Sequence, residues 1–498
     1  MVRALYSGVS GLKVHQSRMD VIGNNIANVN TIGFKSSQVT FSDVLYQTSS
    51  AASGPDEMTG RAGVNPKQIG LGANFASVKT RMDAVGGSQR TDNPFDLMIE
   101  GDGFFIVNNG KQNYFTKAGS FTLDANGTLC TATGYSVMGW QVSPDDKTKI
   151  KQDTVSPLHI MSAENLYSEP EATTAVHFEG NIDSNDTEIS GKGRVTNFTF
   201  YDNLGQSYTV QMLVKQNTQA DSLIKSEYSV AITDVLDANG QSIFVRKVED
   251  DAATEPTYEL GPITEVSLGS YTFTATGVDE KTGIPTVTGD APILTFSAAT
   301  GKMVSIGEDG AAGGGGGGAA GADAVKSLTF SLGITGEHPF RDIDVDFSQL
   351  TMYAKSGKTT IEGNKGDSSP NKLGKGRTAG AMSGVTIDNA GKIYGVYDNG
   401  DQKLLGQVVV AKFPNNSGLE AVGNNLFAES QNSGEFDGIG EDITTTGGKF
   451  NPGVLESSNV DLATEFTDMV ITQRGFQANS RIITTTDTLL EELINLKR

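Results

Sequence analysis

Cysteine and tryptophan are almost missing from this chain of 498 residues, which carries one of each, Cys130 and Trp140. A single thiol cannot close an intramolecular disulfide, so no part of the fold is stapled. Histidine is nearly as scarce. His15, His159, His177 and His338 lie far apart, which rules out an ordinary His-rich metal site, and no cofactor-binding motif takes its place. No apolar run is long enough to span a bilayer. The N-terminus has no charged segment followed by an apolar one, so no cleavable signal peptide is visible. Basic residues are outnumbered, 38 against 59 acidic, for a formal net charge of -21. That balance argues against a nucleic-acid partner, whose affinity rests on neutralised phosphates. No nucleophile-elbow motif is present and the carboxylates read as a solvated surface, so the chain reads as a non-enzyme.

Glycine is abundant instead. It supplies 60 residues, about 12% against an average near 7%, which points to many turns between many short strands. The length suits roughly two to four domains.

The two ends of the chain differ from its middle. Leu5, Leu12, Met19 and Ile26 recur at intervals of seven, with Ile22 and Val29 at +3 from the last two. This spacing predicts a helix over about 3–29 with an a/d seam, imperfect where the earlier +3 positions are Gly8 and His15. Leu462, Met469, Phe476, Ile483 and Leu490 repeat the interval, supported by Phe466 and Ile494 at +4. A second helix is expected over about 460–497, capped by Asp461 or Asn459 with Glu465 near its first turn. Helices at the extreme ends of a strand-rich chain most simply pair with each other. A lone helix pair is marginal in water, so such ends are expected to order when many copies pack together. After the first helix comes GNNIANVNTIGFK. Asn24, Asn25, Asn28 and Asn30 compete with helical hydrogen bonds, and Gly33 with Phe34 closes the stretch, which reads as a helix–linker joint.

The expected fold is multidomain and mainly β, with discontinuous nested β domains and terminal α-helices pairing as a coiled coil. Its parts are helices at 1–30 and 460–498, an extended linker at 31–77 and 445–459, an inner β domain at 78–150 and 376–444, and one or two outer β domains at 151–375. LDANGTL, VLDANGQSI and TIDNAGKIYG carry strand–turn–strand signatures, and none has the spacing of a calcium loop. The glycine run 310–321 lacks the Lys-Ser/Thr of a phosphate loop and reads as a flexible surface loop. Cys130, following Leu129, reads as a small buried hydrophobe, and Trp140 as a packing residue at the inner–outer boundary.

Three stretches carry a family resemblance: Ala4–Leu45, the pair FDLMIEGDGFFIV and FTKAGSFTLDANGTL, and Leu455–Leu496. They resemble, in order, the N-terminal, inner-domain and C-terminal signatures of the bacterial flagellar rod and hook axial proteins. The likeness spans about 1–140 and 380–498, and the middle shows no specific match. The long middle and the segment Asp342–Ala354 favour the hook branch over the distal rod, although the long linker around 46–70 is a rod-like feature. The resemblance implies a structural subunit that is exported unfolded by the flagellar type III apparatus and polymerises with itself beneath a cap. The polymer would be a curved tube that passes torque from rod to filament as a universal joint, with export substrates moving through its channel. It implies contact with rod proteins, the hook cap and the hook–filament junction protein, in an extracellular flagellar location. Phe41 and Leu45 resemble an export-gate recognition pattern, or else anchor the linker to the helices. In some members a cysteine crosslinks to a neighbouring subunit's lysine, which gives Cys130 a second reading. A surface β-rich adhesin remains the alternative of a different class, on the strength of the middle alone.

Overall fold

A computed structural model describes residues 2–55, 60, 62–217, 226–248, 257–307, 325–334, 338–355, 357–365 and 374–496. The glycine run 310–321 lies outside the described residues. The chain divides into two compact units, each made of separate stretches of sequence. The first comprises Met1–Leu166, Met382–Val396 and Gln402–Arg498, and the second comprises Tyr167–Ala381 and Tyr397–Asp401.

In the first unit, helix α1 (Val2–Ala27) packs along helix α2 (Leu462–Leu496). Asp461 caps α2, its carboxylate accepting from the backbone N–H of Ala463 at 2.9 Å. Beyond α1, within the stretch expected to be an extended linker and just past it, the chain forms paired strands. Strand β1 (Ser37–Asp43) pairs antiparallel with β4 (Ala73–Thr80), and β2 (Tyr46–Ser50) pairs with β3 (Lys67–Gly70). Nearly every side chain on this two-stranded arm is exposed. With both faces in solvent there is no apolar–polar alternation to read, so periodicity could not reveal the strands.

The inner β region of this unit shows why FFIV, at 104–107, is apolar without a break. Phe104 and Ile106 enter one cluster with Phe115, Trp140 and Phe413, while Phe105 and Val107 enter another with Phe121, Leu129 and Phe450. One strand feeds two cores, so both of its faces are buried. Phe105 meets Phe121 edge-on at 5.0 Å and stacks on Phe450 at 5.8 Å. Trp140 lies inside this unit, 4% exposed, with its indole N–H donating to the Ile439 carbonyl at 2.8 Å. Cys130 is only partly buried, against expectation, because it sits on the short strand Leu129–Thr131, where Leu129 takes the inward position. The unit runs on past residue 150: Ser156–Pro157 pairs with the strand Ser136–Gln141, and Leu158 and Ile160 are 1% exposed in its core.

Three turns share one device. The carboxylates of Asp124, Asp237 and Asp388 each accept two backbone N–H groups, at residues +2 and +4, across a glycine in the left-handed region. These acids hold hairpins together.

The second unit is built from two sheets around one hydrophobic cluster. One sheet has seven strands, antiparallel except where Ala175–Asn181 runs parallel to Ile343–Thr351. The other has five strands in the order Arg194–Tyr201, Ser207–Gln216, Glu227–Leu236, Ile293–Phe296 and Met303–Gly307. Phe178, Phe198, Phe200 and Phe330 fill the space between the sheets.

Candidate assembly interface

The helices meet only in part through the stripes that the heptads mark. Across the seam, a Cβ placed on Gly8 would lie 3.2 Å from Ile483, one on Gly11 would lie 2.7 Å from Asn479, and one on Gly475 would lie 2.7 Å from the His15 ring. Further along, Arg18 pairs with Asp468 at 2.9 Å and Asn25 donates to Glu465 at 3.0 Å. The partners descend along α2 as they ascend along α1, so the pair is antiparallel. Small residues let the backbones approach closely, and polar ones pin the register. Gly8 and His15, which break the predicted seam, are therefore part of the real one.

The apolar residues predicted to form the helix core fall beside this seam. Ile22 is buried, at 4% exposed. Leu5, Leu12, Met19, Ile26, Val29, Met469, Ile483 and Leu490 are half-buried. Leu462, Phe466, Phe476 and Ile494 are exposed, Phe466 by 51% and Ile494 by 68%. Val470, Ile471, Ile482, Leu489 and Leu493 are exposed as well. A single chain thus presents long apolar faces to solvent on a helix pair whose internal contact is small and polar. Contiguous exposed apolar surface of this kind marks a protein–protein contact.

Burial shifts two titratable groups in the seam. His15 lies below its ordinary value, through desolvation first and then the neighbouring Arg18 cation. Glu465 is pushed up by burial, against the lowering effect of the Asn25 hydrogen bond. Two polar atoms here, Nδ1 of His15 and Oγ1 of Thr472, are buried without a hydrogen-bond partner.

At the joint the four asparagines separate in role. Asn25, 1% exposed, donates to the Ser37 carbonyl at 2.9 Å and accepts from the Ser37 N–H at 3.0 Å, so its amide pairs with backbone as a strand would. Asn28 folds back on Asn24, donating to its carbonyl at 2.9 Å. Asn24 and Asn30 are exposed. Gly33 has φ +68° and lies against the backbone of Ala118, where a Cβ would sit 2.7 Å from its nitrogen, so glycine is required twice over. Its N–H donates to the Glu456 carbonyl at 2.8 Å, and the Phe34 carbonyl accepts from the Asn459 N–H at 3.4 Å.

Sequence reasoning missed the group that locks this joint. Lys35 and Glu456 form an ion pair at 2.7 Å with both side chains 2% exposed. The same carboxylate oxygen accepts the Gly86 N–H at 2.8 Å, and Lys35 also donates to the Ala84 carbonyl at 2.8 Å. The buried Lys117 is pushed down to about 8, by desolvation first and then by the Lys35 cation. Its ammonium lies over the Phe104 ring at 5.2 Å. The pairing partners are 421 residues apart, and no periodic or local signal links them.

Phe41 stands 6.5 Å from the His15 ring, edge to face, and 6.0 Å from the Arg18 guanidinium. It ties the arm to α1. Leu45 is 63% exposed.

Three family models match this chain. Residues 5–35 match "Flagella basal body rod protein", 98–196 match "Flagellar hook protein FlgE/F/G D1 domain", and 451–496 match "Flagellar basal body rod FlgEFG protein C-terminal". The chain is 33% identical to the flagellar hook protein FlgE of Treponema pallidum and 34% identical to that of Borreliella burgdorferi, each over 100% of both chains. It is 26% identical to the flagellar basal-body rod protein FlgG of Bacillus subtilis, also over 100% of both. Among solved structures, Helicobacter pylori flagellar hook protein FlgE2 aligns over 74% of this chain and 100% of that one, at 14% identity and a TM-score of 0.36. At that score the likeness says nothing about the fold.

Proposed function

The chain belongs to the flagellar hook protein family and is a structural subunit of the hook; from that premise we propose how it assembles and works. The exposed apolar faces of α1 and α2 pack against the same faces on neighbouring copies and build the wall of a tube. The observation that carries this reading is the mismatch within the helix pair, where many large apolar residues, among them Phe466, Ile471, Leu489 and Ile494, stay exposed while glycine, threonine and asparagine share the intrachain seam. Repeated head-to-tail contacts that do not close give an open helical polymer.

The tube is curved and acts as a universal joint between rod and filament. The helices line its central channel, through which export substrates pass. The joint held by Asn25, Gly33 and the Lys35–Glu456 pair fixes how the helix pair leaves the inner β region, so torque borne by one reaches the other. The second unit carries much of the chain's acid, which favours solubility. Rod proteins, the cap, the hook–filament junction protein and the type III export apparatus are its partners, and the subunit is exported without signal cleavage to an extracellular site. Phe41 and Leu45, in the stretch FSDVL, are read by the export gate before the chain folds.

Electron microscopy of the purified, polymerised protein tests the reading. A short curved tube is the expected result. A straight tube would favour the rod relatives, and absence of any tube would refute assembly through these faces. Phe466→Asp, which charges one exposed helical face, is expected to prevent tube formation while both β regions keep their circular-dichroism signal.

A further inference from the structure

The second unit holds a cleft that the assembly reading does not use. Its walls come from four strands: β5 (Ser207–Gln216), β6 (Glu227–Leu236), β7 (Val245–Val248) and β8 (Thr257–Leu260). The turn at 282–284 closes one rim. The cavity measures about 440 Å³, within the range of about 300–1,000 Å³ typical of small-ligand pockets.

A β-bulge aims an acid into it. Along β6 the buried positions alternate as Tyr228, Val230 and Ile232, so strict alternation would put Asp234 in the core. Instead Met212 of β5 pairs with Ile232 while Gln211 pairs with Asp234, leaving Thr233 as the extra residue. The bulge returns Val235 to the core, 0% exposed, and turns Asp234 to the cleft wall. One carboxylate oxygen, Oδ1, accepts from the Ser242 hydroxyl at 2.5 Å and the Val235 N–H at 2.8 Å, which fixes the group in place. Partial burial raises its pKa. Gln211, Gln241, Lys247 and the Tyr258 ring share the lining with the apolar Leu236, Val245 and Ile284. The turn lies against that ring: a Cβ on Gly283 would sit 3.1 Å from it, and the residue has φ +67°.

We propose that this cleft is a binding site for a short saccharide, with Asp234 and the two glutamine amides reading hydroxyl groups and Tyr258 offering an apolar face to a sugar ring. A hydroxyl both donates and accepts, and the lining offers a fixed acceptor and two amides that do both. A purely anionic ligand would face Asp234 at close range, and a purely apolar one would strand the polar wall. All the lining residues belong to the second unit.

The test is saturation-transfer NMR on the full chain, with N,N′-diacetylchitobiose and cellobiose as probes. Transfer to at least one disaccharide is expected, with affinity falling by about tenfold or more in Asp234→Asn and in Tyr258→Ala. In the unaltered protein, the backbone amides of Gly240 and Gly283 should shift on titration, a readout independent of how well either variant folds. Lack of transfer to both probes would overturn the proposal. So would transfer that both variants leave undiminished, or shifts confined to amides away from these turns.

Discussion

The helix pair and the second unit use similar residues in opposite ways. In the second unit, Phe178, Phe198, Phe273 and Phe330 are each at most 1% exposed, and the two sheets close over them. On the helices, Phe466 is 51% exposed, Ile471 56% and Ile494 68%. The sheets complete their core within one chain. The helices leave much of their apolar surface uncovered within one chain, and the proposed assembly covers it. Under the proposed assembly, the sheets fold by themselves and the helix pair is finished by its neighbours. The difference also divides stability from polymerisation, so substitutions in the two places should have separable effects.

The largest expected effect is on assembly. Removing residues 462–498 should abolish tubes in sedimentation and electron microscopy, while circular dichroism still shows folded β structure. Normal tubes from that truncation would end the comparison. In the second unit, Phe198→Ala should cost about 3–5 kcal/mol in urea unfolding, as cavity-forming substitutions of buried aromatics do. Polymerisation at low temperature should persist, and loss of both properties together would mean the regions are not independent.

At the joint, Glu456→Gln leaves the Lys35 cation buried and uncompensated. A loss of about 3–5 kcal/mol in the first unit's unfolding is expected, with the second unit's transition unmoved. Within the seam, Gly475→Leu should weaken the pair by about 1–3 kcal/mol, since the His15 ring occupies the space the side chain needs. Unchanged tube stability in heat-dissociation assays would show that the intrachain contact contributes little in the polymer.

The smallest effect is a pH dependence. The folded-state pKa of His15 lies below 6.5, so its stabilising contribution is full above 6.5 and is lost as pH falls from there through the lowered folded value. Protonation puts a second cation beside Arg18. The facing acids on α2 are Asp468, already paired with Arg18, and Glu465, whose raised pKa acts in the opposite sense at lower pH. Tubes should therefore dissociate more readily at about pH 5.5 than at about pH 7, and His15→Gln should flatten the difference. An identical profile in the variant would assign the acid sensitivity elsewhere.

Legibility in the sequence followed physical cause. The terminal helices, at Val2–Ala27 and Leu462–Leu496, lie close to the periodicity that predicts them, because one-sided burial writes a repeat into the chain. The Asp-x-x-Gly turns were legible because their hydrogen bonds are local. The β1–β4 arm was not, since strands with two wet faces carry no repeat. The small and polar members of the seam were not legible, because heptad counting follows large apolar side chains, whereas Gly8, Gly11, Gly475, His15 and Asn479 also lie where these helices meet.

The sequence by itself determined the mainly β composition, the helical ends, the turns and the family, all of which rest on contacts within a few residues or on motif order. Only the tertiary structure decided which helical face is spent inside the chain, that Lys35 finds Glu456, and that a one-residue bulge turns Asp234 into a cleft. Those outcomes depend on groups hundreds of residues apart in two cases, and on a strand register in the third. A linear pattern encodes neither distance in space nor the partner across a ladder.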